Sequence, residues 1–269
     1  ILDAGCGTGR SFEYYNKKKA RICIFILGAI VIGSVIFLGG RVFSYNDTRT
    51  HPSLTDNVAK IYNINFERKL SNEEIDWLKK GSVEEDKIPR PANHFFEPNS
   101  GVGIAGFVNS KSWAQSDSLQ RISASGDYSW PTALNAYVKD DRKAAFLALG
   151  HVLHLLEDAT VPAHTRLDEH LTEGDPYEKW AETQENISFN PAPIIVSQLS
   201  EAFDTLALYS NKYFLSKDTI DQQRVDISKK ADISVNNKTV DCFLSSDNNG
   251  QSFCLVAGDK NFINSDKRV

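Results

Sequence analysis

The sequence predicts a mainly α-helical domain, preceded by a transmembrane helix and followed by a small β appendage. Three observations predict it. Apolar residues recur at helical spacing from residue 51 onward, an uncharged apolar run fills residues 22–40, and the tail carries two β-like runs around an Asn-Asn-Gly turn. At 269 residues the chain can bury a sizeable core in one or two domains. A net charge of −5 argues against a broad nucleic-acid-binding surface. The chain starts with isoleucine and contains no methionine, so it reads as a fragment or a processed chain.

The opening LDAGCGTG (residues 2–9) resembles the first motif of an S-adenosylmethionine-dependent methyltransferase, whose glycines let backbone approach a cofactor. Such a loop works only inside a βαβ unit, and here polar RSFEYYNKKK follows and then the apolar run. Residues 1–21 are therefore expected to be a cytoplasmic segment with an orphan motif. Residues 22–40 hold nineteen uncharged positions, about the length that crosses a bilayer. Lys17, Lys18, Lys19 and Arg21 precede them, which orients the N-terminal side to the cytoplasm. The expectation is a single-pass cell-membrane protein with everything after residue 41 outside the cytoplasm.

Residues 41–231 read as the helical domain. TDNVAKIYNINFERKL places Val58, Ile61, Tyr62 and Phe66 on one face. SNEEIDWLKKG opens with a capping-box pattern, Ser71 with Glu74, and is expected to stop at Gly81. A looser Pro/Asn/Gly stretch runs to Gly106, and SWAQSDSLQRIS reads as one helix. A long helix is expected from about Asp140 to Ala159, ended by Val161-Pro162. DPYEKWAETQEN starts another with proline in its first turn, residues 194–215 a further one, and DTIDQQRVDISKKA a short one. Residues 232–269 read as a hairpin tail. In an oxidising compartment Cys242 and Cys254, which bracket its turn, are a disulfide candidate, with two free thiols as the alternative.

Chemistry concentrates in GHVLHLLEDATVPAHT, residues 150–165. All six histidines fall between 51 and 170, each near carboxylates: His51, His94, His151, His154, His164 and His170. His154 and Asp158, four apart, share a helix face, and Pro162 turns the chain so that His164 can come back towards it. Converging imidazoles and carboxylates suit zinc.

His154-x3-Asp158-x5-His164, with Pro162 inside it, resembles the core motif of the zinc-dependent phospholipase C family, whose fold the single-strand-specific zinc nucleases share. NHFFEP resembles the family's SHFYDP, with His94 in the ligand position. The Gly81-to-Asp86 spacing puts Asp86 in the place of the active-site aspartate, His51 matches an early histidine ligand, and Tyr177-Glu178 matches a Tyr-Glu pair that supplies a carboxylate. The resemblance covers roughly residues 51–215. It implies a helical bundle holding two or three zinc ions through His51, Asp86, His94, His154, Asp158, His164, His170 and Glu178. Asp158 would bridge two ions, and Asp86 would be the catalytic residue that orients or deprotonates water.

Two departures stand out. The family's N-terminal tryptophan ligand has no counterpart before His51. Gly174 occupies the position of a family histidine, four before Glu178, which His170, Asp168 or Asp175 could replace; His170 is favoured. His151 matches no ligand position and is expected to support a ligand from behind or to pack in the core. Glu157 reads as solvated or supporting, Trp113, Trp130 and Trp180 as core, and Arg90 and Arg166 as phosphate-holding or surface residues. The implied function is a membrane-anchored phosphodiester hydrolase of phospholipase C type, with a phospholipid as substrate. A nuclease or phosphatase on the same fold is the near alternative. A non-catalytic module with one structural zinc is the distant one, disfavoured because a closed site needs only four ligands.

Overall fold

Thr50–Asn65 form the first described helix, α1, and Asn72–Glu84 the second, α2. After two 3-10 turns come the short helices α3 (Ser110–Gln115) and α4 (Asp117–Ile122), then α5 (Trp130–Val138) and the central α6 (Arg142–Asp158). A one-turn helix α7 (Pro162–Thr165), α8 (Pro176–Ala181) and α9 (Leu199–Tyr213) complete the helical part. Three antiparallel strands follow, β1 (Lys230–Val235), β2 (Lys238–Ser246) and β3 (Ser252–Leu255), in the order β1-β2-β3. This computed structural model describes residues 49–123, 125–170, 175–182, 196–214 and 216, together with those strands. All of them belong to one compact unit, Val42–Val269.

Residue chemistry explains the boundaries. The Ser71 hydroxyl accepts from the Glu74 amide at 3.2 Å, and the Glu74 carboxylate accepts from the Ser71 amide at 2.9 Å, closing the capping box. Replacing Ser71 with alanine is expected to cost about 1 kcal/mol, read as a lower urea midpoint at unchanged slope. An unchanged midpoint would show that packing alone fixes this end. Asp141 caps α6 by accepting from the Ala144 amide at 3.1 Å. The stretch expected to be one helix around Asp117 is two, because Ser116 leaves helical geometry and caps α4 by accepting from Leu119. Helix α5 was not anticipated, although Pro131 in its first turn is a start signal.

The expected stop at Gly81 is corrected: α2 runs through it to Glu84. Gly81 serves instead as a crossing point. A Cβ built on it would lie 2.0 Å from the Leu147 carbonyl oxygen, and one on Gly150 would lie 2.1 Å from that of Leu78. Bare glycine backbones thus let α2 and α6 touch. Helix α6 has α1, α2, α3, α5 and α9 around it, so nearly every residue from Ala145 to Leu155 is buried, whichever side it faces. One apolar cluster joins Phe96, Trp113, Val152, Leu155, Phe203 and Ala207, which ties the loop after α2 to α3, α6 and α9. Trp113 lies in it and Trp130 packs against it, as core tryptophans. The side chain of Trp180 lies outside the described residues.

The sequence-based membrane placement is overturned. Among the described residues no helix is long and apolar enough to cross a bilayer. The longest, α6, carries Arg142, Lys143, Glu157 and Asp158 and is covered by other helices rather than presented to lipid. Residues 22–40, on which that placement rested, lie outside the described residues, as do the orphan glycine motif and residues 218–229 of the short helix expected over 218–231; its last two, Lys230 and Ala231, are strand in β1 instead. In the sheet, Cys254 stands opposite Leu244 rather than Cys242. Whether Cys242 and Cys254 pair as a disulfide or stand as free thiols lies outside the described side chains.

Candidate metal centre

Five segments converge at one end of α6. The first turn of α1 supplies His51, the C-terminal end of α2 leads to Asp86, and the loop after it supplies His94. Helix α6 carries His151, His154 and Asp158 along one stripe. Beyond the Val161-Pro162 break, α7 presents His164, whose carbonyl accepts from the Phe96 amide at 3.1 Å and so ties the two loops together. His170 and, on α8, Glu178 close the far side. His51, His94, His154, Asp158, His164, His170 and Glu178 are all buried.

These side chains form three groups suited to a cation, the first two sharing His154: His51, His154 and Asp158; Asp86, His94 and His154; and His164, His170 and Glu178. Two ligand atoms on a tetrahedral zinc, each about 2.0–2.1 Å from the ion, stand about 3.3–3.4 Å apart. The measured separations are close to that edge. His51 Nε2 is 3.5 Å from Asp158 Oδ1, His154 Nε2 is 3.3 Å from Asp158 Oδ2, and His154 Nε2 is 3.5 Å from Asp86 Oδ1. In the third group His164 Nε2 stands 3.3 Å from both His170 Nε2 and Glu178 Oε1, and His170 Nε2 stands 3.5 Å from Glu178 Oε2. His94 turns Nδ1 inwards, 2.9 Å from Asp158 Oδ2 and 3.4 Å from His154 Nε2.

The outward nitrogens fix the tautomers. His154 Nδ1 lies 2.7 Å from the Ser82 carbonyl and His170 Nδ1 2.9 Å from that of Asp168, so each neutral ring carries its proton there and leaves Nε2 to face a cation. His51 Nδ1 lies 2.6 Å from Glu157 Oε2. Both oxygens of Asp158 and Oε1 of Glu178 are buried and face imidazole nitrogens without a well-formed hydrogen bond among the described residues. Buried carboxylate oxygens without donors are costly unless a cation neutralises them. The donor set therefore fits zinc. His170, rather than Asp168 or Asp175, completes the third group. Asp175 instead caps α8, accepting from the Tyr177 and Glu178 amides at 2.9 and 3.1 Å.

The charge balance in the bare cluster is strained in the same direction. Burial disfavours the His154 imidazolium, yet Asp86 and Asp158 outweigh it and lift its pKa to about 10. Burial likewise opposes the charging of His164, but Asp158 and then Glu178 raise its pKa well above the usual value. Glu157 is pushed well up by burial, with Asp158 and Asp86 adding repulsion. Protons on His154 and His164 thus stand in for metal charge. Zinc uptake near pH 7 is expected to release protons from both rings, measurable as a buffer-dependent heat in calorimetry, with apparent affinity rising with pH. A heat independent of buffer would contradict this.

Behind the cluster lies a network that the sequence reading missed. Glu85 Oε2 accepts from Arg90 Nε at 2.6 Å and lies 2.5 Å from His151 Nδ1, while Glu85 Oε1 accepts from Trp113 Nε1 at 3.1 Å. Glu85 lies one turn beyond Gly81 on the face that meets α6, a spacing that could have identified it. Burial opposes its ionisation, but the His151 hydrogen bond and charge, with Arg90, bring its pKa down to about 2. His151 joins none of the three cation groups and lies behind them, stacked on Tyr128 at 4.0 Å. Arg90 is neither a surface residue nor free for phosphate: its other donors reach Ser125, Gly126 and Gln120. Arg166 is buried and donates to the Asn211 carbonyl at 2.8 Å.

Fold and site together define a helical domain with a buried histidine–carboxylate cluster able to hold metal. No protein-family model matches the chain, and no curated protein matches it. Among solved structures it is similar to alpha toxin from Clostridium absonum, with a TM-score of 0.37 and 16% identity over 63% of this chain and 53% of that one. The chain thus spans about half the length of that toxin, and the likeness is distant.

Proposed function

We propose that this chain is a zinc-dependent hydrolase of phosphate esters, acting on a phosphodiester of the phospholipid class. The observation that carries the reading is the set of donor separations near 3.3–3.5 Å in three groups linked through His154 and Asp158. Eight candidate ligands exceed what one closed structural site uses, which favours a multinuclear catalytic centre over a single structural zinc. The phospholipid class is taken from the resemblance of the His154–His164 motif to the zinc-dependent phospholipase C family.

His94, His154, Asp158, Asp86 and His51 would hold one or two ions, and His164, His170 and Glu178 another. Zinc held there supplies charge to neutralise phosphate oxygens and lowers the pKa of bound water. The chain's own contributions are orientation and proton handling. Asp86 has an oxygen 3.7 Å from His94 Nδ1 and 3.5 Å from His154 Nε2, at the edge of the cluster, where a carboxylate can orient a water and accept its proton. Ser82, Asp168 and Glu157 hold three imidazoles in the tautomer that faces inwards.

Elemental analysis of the purified chain, paired with hydrolysis assays, tests the proposal. Two or three zinc per chain and release of phosphorylated headgroup from phosphatidylcholine vesicles are expected. Cleavage of single-stranded DNA or of a phosphomonoester instead would move the substrate class while keeping the chemistry. One zinc and no turnover would point to a structural module, and no zinc would end the metal reading.

A further inference from the structure

We infer that Glu157 is a positioning residue that fixes His51 as a cation-facing side chain, and so makes the His51–His154–Asp158 group depend on a carboxylate that is not itself a ligand. The inference rests on the metal reading above and adds to it a device that the resemblance does not supply.

Glu157 immediately precedes Asp158 on α6, so a rotation of about 100° turns it away from the ligand stripe and towards α1. There its two oxygens take two donors one helical turn apart. Oε2 lies 2.6 Å from His51 Nδ1, and Oε1 accepts from the Thr55 hydroxyl at 3.0 Å. Where Glu157 is ionised, Nδ1 holds the proton and His51 Nε2 presents a lone pair 3.5 Å from Asp158 Oδ1. The ring is stacked on His154 with centroids 3.7 Å apart, and Nδ1 ties it to Glu157.

Two further facts set Glu157 apart from an ordinary structural carboxylate. Helix α1 begins at Arg49 with no side-chain cap, so its first turn is not anchored by its own sequence. Glu157 is nearly buried, with its Oε2 2.6 Å from His51 Nδ1. An isolated buried carboxylate is costly, and a neutral imidazole offsets that cost only in part. A cation bound to the far nitrogen of His51 polarises the ring and completes the compensation. Carboxylate, imidazole and metal then form one chain of charge, the arrangement that raises ligand basicity at metal sites.

The test is a double-mutant cycle on metal uptake. Chelator-treated full-length chain is titrated with zinc, and with cobalt as a spectroscopic probe, for wild type, E157A, H51A and the double variant. In E157A one equivalent is expected to weaken by about 10–100-fold while the others hold. In the H51A background E157A should change nothing further, because Glu157 acts through that ring. E157Q keeps an oxygen acceptor and should fall between wild type and E157A; if the alanine variant does not fold, E157Q carries the same cycle. Wild-type affinity for every equivalent in E157A, equal weakening of all equivalents, or additive losses with H51A would each overturn the inference. A wild-type chain that takes up no zinc would instead sink the metal reading itself, so the two failures are distinguishable.

Discussion

Asp158→Asn is expected to remove most of the metal and nearly all activity. Asp158 is the hub of the cluster: its two oxygens lie within 3.5 Å of His51, His94, His154 and His164, and it belongs to one donor group directly while neighbouring the other two. Burial alone would push its carboxyl up, yet His164, His154 and His94 hold it well below the usual range. An asparagine has the same shape but no charge. It leaves His154 and His164 without the partner that raises their pKa values, and it removes the anionic oxygens that bind a cation. Metal-ion stabilisation worth several kcal/mol corresponds to a rate loss of about 10³-fold or more. Zinc should fall to at most the ion held by His164, His170 and Glu178. Retention of the full complement with unchanged turnover would remove Asp158 from the mechanism, and with it the proposed function.

Gly150→Ala is expected to destabilise the fold strongly, against the usual sign. In an exposed helix interior this exchange gains up to about 1 kcal/mol. Here the new methyl would meet the Leu78 carbonyl oxygen at 2.1 Å, and behind it the Gly81 Cα at 2.9 Å. Both are backbone atoms of α2, with no flexible end to yield. Separating the helices should cost about 3 kcal/mol, at the upper end for overpacking. For a domain of this size that is a fall of roughly 6–12 °C in melting temperature. The same displacement pulls the Ser82 carbonyl from His154 Nδ1 and Glu85 from His151, so metal affinity should fall with stability. Gly81→Ala should behave alike, since its methyl would meet the Leu147 carbonyl at 2.0 Å. A melting temperature equal to or above wild type for either variant would refute this account of the crossing.

Much of the helical frame was legible in the residues. Ser71 with Glu74 marked the start of α2, the apolar period and Pro162 bounded α6, and proline opened α8. These are local signals, read by the first turn of a helix or by a missing amide, and they survive into the folded state. Signals that depend on a neighbour were misread. Gly81 looked like a stop because glycine often follows a helix, whereas its lack of a side chain is used here for contact with another backbone. Glu157, a step off the ligand stripe, read as solvated or supporting; α1 covers that face, and the carboxylate supports His51. Arg90 read as phosphate-holding or surface because arginine on a loop is usually free, and Glu85, unremarked in its acidic run, claims it.

The sequence by itself singled out the candidate donors, since imidazoles and carboxylates at helical spacing with a proline break constrain which side chains can meet. Only the tertiary structure decided which nitrogen of each ring faces inwards. That choice is made by the Ser82 and Asp168 carbonyls and the Glu157 carboxylate, which reach His154, His170 and His51 from sequence distances of 72, 2 and 106 residues. It also decided that His170 rather than Asp168 or Asp175 joins Glu178. Periodicity carries information along one helix, and a ligand geometry assembled from five segments depends on where separate helices cross.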